Sequence, residues 1–112
     1  MTTPGRLRGR RTFAALAHQG RTVRSGPIRV RYLAASDDET AVGYAVGKSA
    51  GGAVLRNRIR RRLRAAIAGA NMPLTSGFYL ISADAAAASI PFSELTAALQ
   101  SALASLATEA RS

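Results

Sequence analysis

The apolar residues of the chain change their period from one stretch to the next, and each period names an element. Leu55, Ile59, Leu63, Ala66 and Ile67 recur at helical spacing and form one stripe that can bury itself on a core, which predicts a helix over roughly Ala53 to Ala68. In Ile28-Arg29-Val30-Arg31-Tyr32-Leu33 the period falls to two, with Ile28, Val30 and Tyr32 alternating against Arg29 and Arg31: a half-buried strand with a basic outer face. A second strand is predicted over Ala41 to Val46, joined to the first by Ser36-Asp37-Asp38-Glu39-Thr40 as a polar hairpin connection. Phe78-Tyr79-Leu80-Ile81 is a continuous apolar run too short for a helix, so it reads as a buried strand. Near the start, Thr12 is placed to cap a short helix that turns Phe13, Leu16 and Ala17 inward and ends at Gly20. The alanine stretch Ala85 to Ala88 leads to a last helix with Pro91 in its first turn and Leu95, Leu99, Leu103 and Leu106 as its buried stripe. The order is helix, two strands, helix, strand, helix, which makes a single α+β domain.

Charge changes this picture most at the central helix. Six arginines fall within the nine residues from Arg56 to Arg64, and no acid lies between Ala41 and Arg64 to neutralise them. Arg56, Arg60 and Arg64 run along one side of the apolar stripe, Arg58 and Arg62 along the other, with Asn57 and Arg61 between. Arginines crowded in this way repel one another, and a polyanion across the face relieves them. An ordinary solvated helix face would mix lysine with glutamate and aspartate. Residues 1–36 hold eight more arginines and no acid, and the net charge is +10 over 112 residues. A nucleic acid is the partner this charge predicts. Residues 1–11, rich in glycine and arginine, read as a flexible basic tract.

Other chemistry is scarce. The chain has no cysteine, which excludes disulfides and thiolate metal sites. No apolar run is long enough to span a bilayer, and no signal-peptide core follows the basic N-terminus, so a soluble cytoplasmic protein without membrane or small-molecule partners is expected. His18, the single histidine, falls near the end of the first helix as a surface residue. Asp37, Asp38 and Glu39 form a turn cluster, while Asp84, Glu94 and Glu109 are scattered, so no carboxylate set for metal-dependent hydrolysis is visible. Gly47-Lys48-Ser49 ends like a phosphate loop, but Val42 stands where that loop needs its first glycine. No catalytic residue and no metal ligand is assigned.

The stretch from Val46 to Arg64, Val-Gly-Lys-Ser-Ala-Gly-Gly-Ala-Val-Leu-Arg-Asn-Arg-Ile-Arg-Arg-Arg-Leu-Arg, resembles the signature of the bacterial ribonuclease P protein component. That family carries a lysine-containing glycine loop, then Ala-Val, one residue, Arg-Asn-Arg, one residue and a basic pair. Arg6-Leu7, Thr12-Phe13, Gly20 and Phe92-Ser93-Glu94-Leu95 follow in register, so the resemblance covers nearly the whole chain. It implies an α/β sandwich of about four strands and three helices, with the arginine helix in a crossover. It also implies the protein subunit of a ribonucleoprotein endoribonuclease that removes the 5′ leader of precursor tRNA. The catalytic RNA subunit would then perform the hydrolysis with Mg2+ bound mainly by RNA, while the protein holds the leader and the catalytic RNA.

Residues standing at the family's contact positions are Phe13, Arg31, Lys48, Arg56, Asn57, Arg58, Arg60, Arg61 and Arg64. The arginines can fork onto phosphate oxygens, Asn57 can donate and accept, and a base can stack on Phe13. Phe13 in a helix start also fits a plain core position. At the first strand the family's cleft tyrosine aligns with Arg31, and a one-residue slip would bring Tyr32 there instead. Ser49 replaces the second loop lysine, Gly52 a further basic position, Ala17 a second aromatic, and Asp84 a basic residue after the buried strand. Leader contact here should therefore rest more on charge than on stacking. Two other readings are a ribosomal-type structural RNA-binding protein and a DNA-binding protein with the arginine helix in a groove. Neither requires the Lys48 to Arg64 pattern ahead of a buried strand.

Overall fold

The computed structural model describes residues 5–6, 10–34, 40–69 and 76–111; for residues 5, 6, 10, 11, 13, 17 and 107–111 the description is of the backbone alone. In chain order the elements are β1 (Gly5–Arg6), α1 (Arg10–Gln19), β2 (Arg21–Ser25), β3 (Ile28–Leu33), β4 (Thr40–Ala45), α2 (Ala53–Gly69), β5 (Gly77–Ala83) and α3 (Phe92–Arg111). Short 3-10 turns at Lys48–Ala50 and Ala85–Ala88 precede α2 and α3. The sheet order is β1-β4-β5-β3-β2. β4 and β5 are parallel neighbours, so α2 lies in a crossover between them, as the resemblance implies.

The sheet has two unlike faces because the side chains of a strand alternate sides. On one face Ile28, Val30, Tyr32, Val42, Tyr79 and Ile81 meet Ile59, Leu63 and Ala66 of α2 and Leu95, Leu99, Ala102, Leu103 and Leu106 of α3 in the main core. The Tyr32 and Tyr79 rings, opposite each other in register, sit 4.9 Å apart between centroids and tilted. The apolar stripes read from the sequence on α2 and α3 are the buried ones. On the outer face a smaller core gathers Leu16 of α1 over Ala41, with Leu33, Phe78 and Leu80 packed around it. The result is three layers: α1, the sheet, then α2 with α3.

Several expectations are corrected. Residues 36–40 do not close a hairpin between neighbouring strands, because β5 is inserted between β3 and β4 and pairs with both. The acidic stretch 36–39 itself lies outside the described residues. The actual hairpin is β2–β3, with Ser25 opposite Ile28 and a two-residue turn at Gly26 and Pro27. Gly26 takes φ 56, the positive value that such a turn requires at its first central position. The β2 sequence carries no clear strand period because its pattern is charged and edge-like: Arg21 and Arg24 are exposed, and Val23 is its one apolar residue, packed against the main core. Charges on an edge strand also discourage pairing with a second chain. Thr12 is inside α1 rather than its cap, since the helix starts at Arg10. In the glycine-rich lead-in to α2, Ala50 is buried in the main core and its N–H donates to the Gly47 carbonyl at 3.1 Å. The alanine stretch is likewise a 3-10 turn, capped by the Asp84 carboxylate accepting from the Ala86 N–H at 3.0 Å. Of residues 1–11, Gly5 and Arg6 pair with Ala41 and Val42, and α1 begins at Arg10.

Candidate nucleic-acid interface

Helix α2 spends one side on the core and fans six arginines around the other. Ile59 and Leu63 are completely buried, which fixes the rotation of the helix and so the direction of every arginine. On one flank Arg62 is used internally: its Nη1 donates to the Ala87 carbonyl at 2.6 Å and its Nη2 to the Ile90 carbonyl. Those bonds tie α2 to the turn that leads into α3 and take Arg62 out of the open face. On the other flank the Arg64 guanidinium lies 5.4 Å from the centroid of the Tyr44 ring, a cation–π contact at the rim of the sheet. Burial raises the Tyr44 hydroxyl above its ordinary pKa, and the nearby Arg64 charge partly offsets this.

Between the flanks lie Asn57, Arg58 and Arg61, all exposed. Asn57 Oδ1 accepts from Arg60 Nη1 at 2.9 Å, which orients Arg60 along the helix and leaves the Asn57 amide free to donate. Arg56 keeps its Nε buried without a hydrogen-bond partner among the described residues, a donor still in need of an acceptor. No described carboxylate pairs with any arginine of α2. What α2 offers is a convex arc of planar donors, arranged before a ligand arrives.

The other sequence candidates lie elsewhere. Arg31 is on the outer face of the sheet, away from α2, where its Nε donates to Thr22 Oγ1 at 3.1 Å. Gly20 makes room for it, since a Cβ there would meet the Arg31 stem at 2.8 Å and the Leu16 carbonyl at 2.4 Å. Tyr32 points the opposite way, into the main core, with its hydroxyl donating to the Ser76 carbonyl at 2.6 Å. Arg31, not Tyr32, therefore occupies the outer face. Phe13 is on α1, which covers that face, but its side chain lies outside the described residues. Lys48 is exposed on the turn between β4 and α2. The eight candidates whose side chains are described thus fall on two surfaces, the α2 arc and the outer sheet under α1, joined by the Lys48 turn. A further arginine, Arg24 of β2, shares the outer face, opposite Arg29. The alternation of Thr22-Val23-Arg24-Ser25 before Gly26-Pro27 was the available signal for its strand. His18 is exposed, as its place near the end of α1 predicts, and no described group of His, Asp and Glu side chains forms a metal-ligand set. No described helix is long and apolar enough to cross a membrane.

Compared with known proteins, the family profile described as Ribonuclease P matches residues 1–107. The chain belongs to the ribonuclease P protein family. The ribonuclease P protein component of Acidothermus cellulolyticus is 43% identical over 101 residues, covering 84% of this chain and 82% of that protein. That of Symbiobacterium thermophilum is 38% identical over 92 residues, 80% of each. Among solved structures, the RNase P protein of Staphylococcus aureus superposes with a TM-score of 0.76 at 22% identity, covering 90% of this chain and 94% of that one. The RNase P protein of Thermotoga maritima gives 0.75 at 20% identity, over 88% and 96%. These two likenesses show that the mixed sheet with three helices is the fold of RNase P proteins. Family membership implies an RNA partner and a place in a tRNA-processing ribonuclease.

Proposed function

We propose that this chain acts as one RNA-binding domain in the cytoplasm, as the protein subunit of a ribonucleoprotein that removes the 5′ leader from precursor tRNA. The observation that carries the reading is the α2 arc: arginines oriented by a fully used core face, unpaired with any described carboxylate, in a chain of the ribonuclease P family. Arg56, Asn57, Arg58, Arg60, Arg61 and Arg64 hold the folded catalytic RNA through forked bonds to phosphate. Arg31 and Phe13, on the outer-face side, hold the single-stranded leader, and Lys48 stands between the two surfaces. Hydrolysis belongs to the RNA subunit, with Mg2+ held mainly by that RNA. The protein contributes charge neutralisation and placement, which lowers the magnesium that RNA folding and substrate docking require.

The test is reconstitution of the purified chain with a bacterial ribonuclease P RNA at low magnesium. Stimulated cleavage of precursor tRNA at the mature 5′ end is the expected result, with no cleavage by the protein alone at any magnesium level. An RNA that is active by itself at high magnesium but gains nothing from the protein would overturn the reading. So would cleavage that scales with protein freed of all RNA.

A further inference from the structure

Beyond the α1 side of the outer sheet face, toward the β2–β3 turn, the register sets Arg24 of β2 opposite Arg29 of β3 and Arg29 opposite Ser82 of β5. Both arginines are exposed, and no described residue forms an ion pair with either. Like charges placed directly across a strand pair destabilise it. The two line a depression of about 290 Å³ together with Gly47, Ser49, Ser82 and Asp84. Asp84, the acid in this group, already accepts from the Ala86 N–H and caps a turn. Arg31 sits two residues along β3 from Arg29 on the same face, ~7 Å away at strand spacing. The outer face therefore carries a flat ladder of cations that starts beneath α1 at Arg31 and continues to the hairpin end.

The geometry points to a second phosphate-binding station at Arg24 and Arg29, which takes the 5′ part of the leader once the chain has passed Arg31. This rests on the reading of the outer face as the leader's surface. A flat ladder of guanidinium groups with hydroxyls beside it suits an extended single strand, whose phosphates lie in line, better than a folded RNA helix. The leader is the single-stranded RNA that reaches this face.

The experiment uses holoenzyme reconstituted with the catalytic RNA, and precursor tRNAs whose leaders lengthen one nucleotide at a time. Arg24→Gln/Arg29→Gln is compared with wild type, and the variant should melt at the same temperature or slightly higher, because both side chains are exposed and their removal relieves the repulsion across the strand pair. The variant should match wild type on the shortest leaders. It should fall behind on the longer ones by on the order of tenfold in affinity near 0.1 M salt, with the log–log salt slope shallower by ~1.4 there, as the loss of two single-strand phosphate contacts requires. Arg24→Lys/Arg29→Lys should restore most of the difference. Equal loss at every leader length, or weaker assembly with the catalytic RNA before substrate is added, would overturn the proposal in favour of diffuse charge or of the catalytic RNA as occupant. A variant that keeps pace with wild type at all lengths would overturn it outright. Wild-type holoenzyme indifferent to leader length would instead remove the reading of the outer face on which it rests.

Discussion

Helix α2 and strand β3 both set arginines against a buried apolar stripe, but their backbones deliver them differently. The helical period wraps the α2 arginines around a convex arc, so neighbouring guanidinium groups point in diverging directions. The strand period keeps Arg29 and Arg31 of β3 on one flat face, with Arg24 brought alongside by the hairpin. Like charge on two geometries fits two RNA shapes: a curved surface meets phosphates of a folded RNA, and a flat ladder meets an extended strand. Charge alone does not separate the two regions; the proposed division of RNA between them rests on backbone period.

The largest effect is shared by both surfaces and comes from salt. With roughly five phosphates engaged by single-stranded or irregular RNA, affinity should fall with a log–log slope of about −3 to −4 in potassium chloride. A slope near zero would remove the electrostatic account of either surface. Next is the footing of the arc. Ile59→Ala empties a fully buried site between α2 and the sheet, and should cost about 3 kcal/mol in denaturant or thermal unfolding. Normal stability in that variant would mean that the core does not hold the arc in place.

Two neighbouring arginines test the arc itself. Arg61→Ala, exposed in the middle of the arc, should lower single-turnover cleavage at limiting magnesium by about tenfold with an unchanged melt. Arg62→Ala should do the reverse, keeping most activity and losing about 1 kcal/mol of stability, because the Ala87 and Ile90 carbonyls lose their donor. Equal activity loss from both, with both melts unchanged, would reduce the arc to diffuse charge.

The smallest effect is at the rim, where Arg64 meets Tyr44. Burial holds the Tyr44 hydroxyl above its ordinary value near 10.0, and the Arg64 charge lowers it in part. The stability gained by keeping Tyr44 neutral is complete below that ordinary value and is lost as pH rises through the raised midpoint. Arg64→Gln should move the Tyr44 midpoint further up in an ultraviolet titration of tyrosinate. A midpoint that moves down would show that Arg64 does not face the ring.

The parts legible in the sequence were those with a strong period and a clear charge. The stripes of α2 and α3 and the alternation of β3 placed their buried residues correctly, and the crowding of arginines with no nearby acid matches a helix whose arginines pair with no described carboxylate. Strand order was not legible. The polar stretch 36–40 looks like a hairpin connection because local sequence carries no sign that β5 will come between its flanking strands. β2 hid because an exposed edge strand has only Val23 to bury. The division of the candidate residues between two surfaces was also hidden, since it depends on which side of the sheet each layer takes.

The position of β5 also governs when these surfaces exist during synthesis. β3 and β4 come from the first part of the chain, yet each finds its central partner only in residues 77–83. Until that segment emerges, the β2–β3 hairpin can form locally, while β4 has no strand between itself and β3. Pairings between residues so far apart in sequence carry a loop-closure cost and form late. The arginines of α2 are thus translated before the sheet that aims them is complete. An ordered arginine arc follows only after β5 has emerged from the ribosome, so premature termination anywhere upstream yields a basic chain without the sheet that aims it.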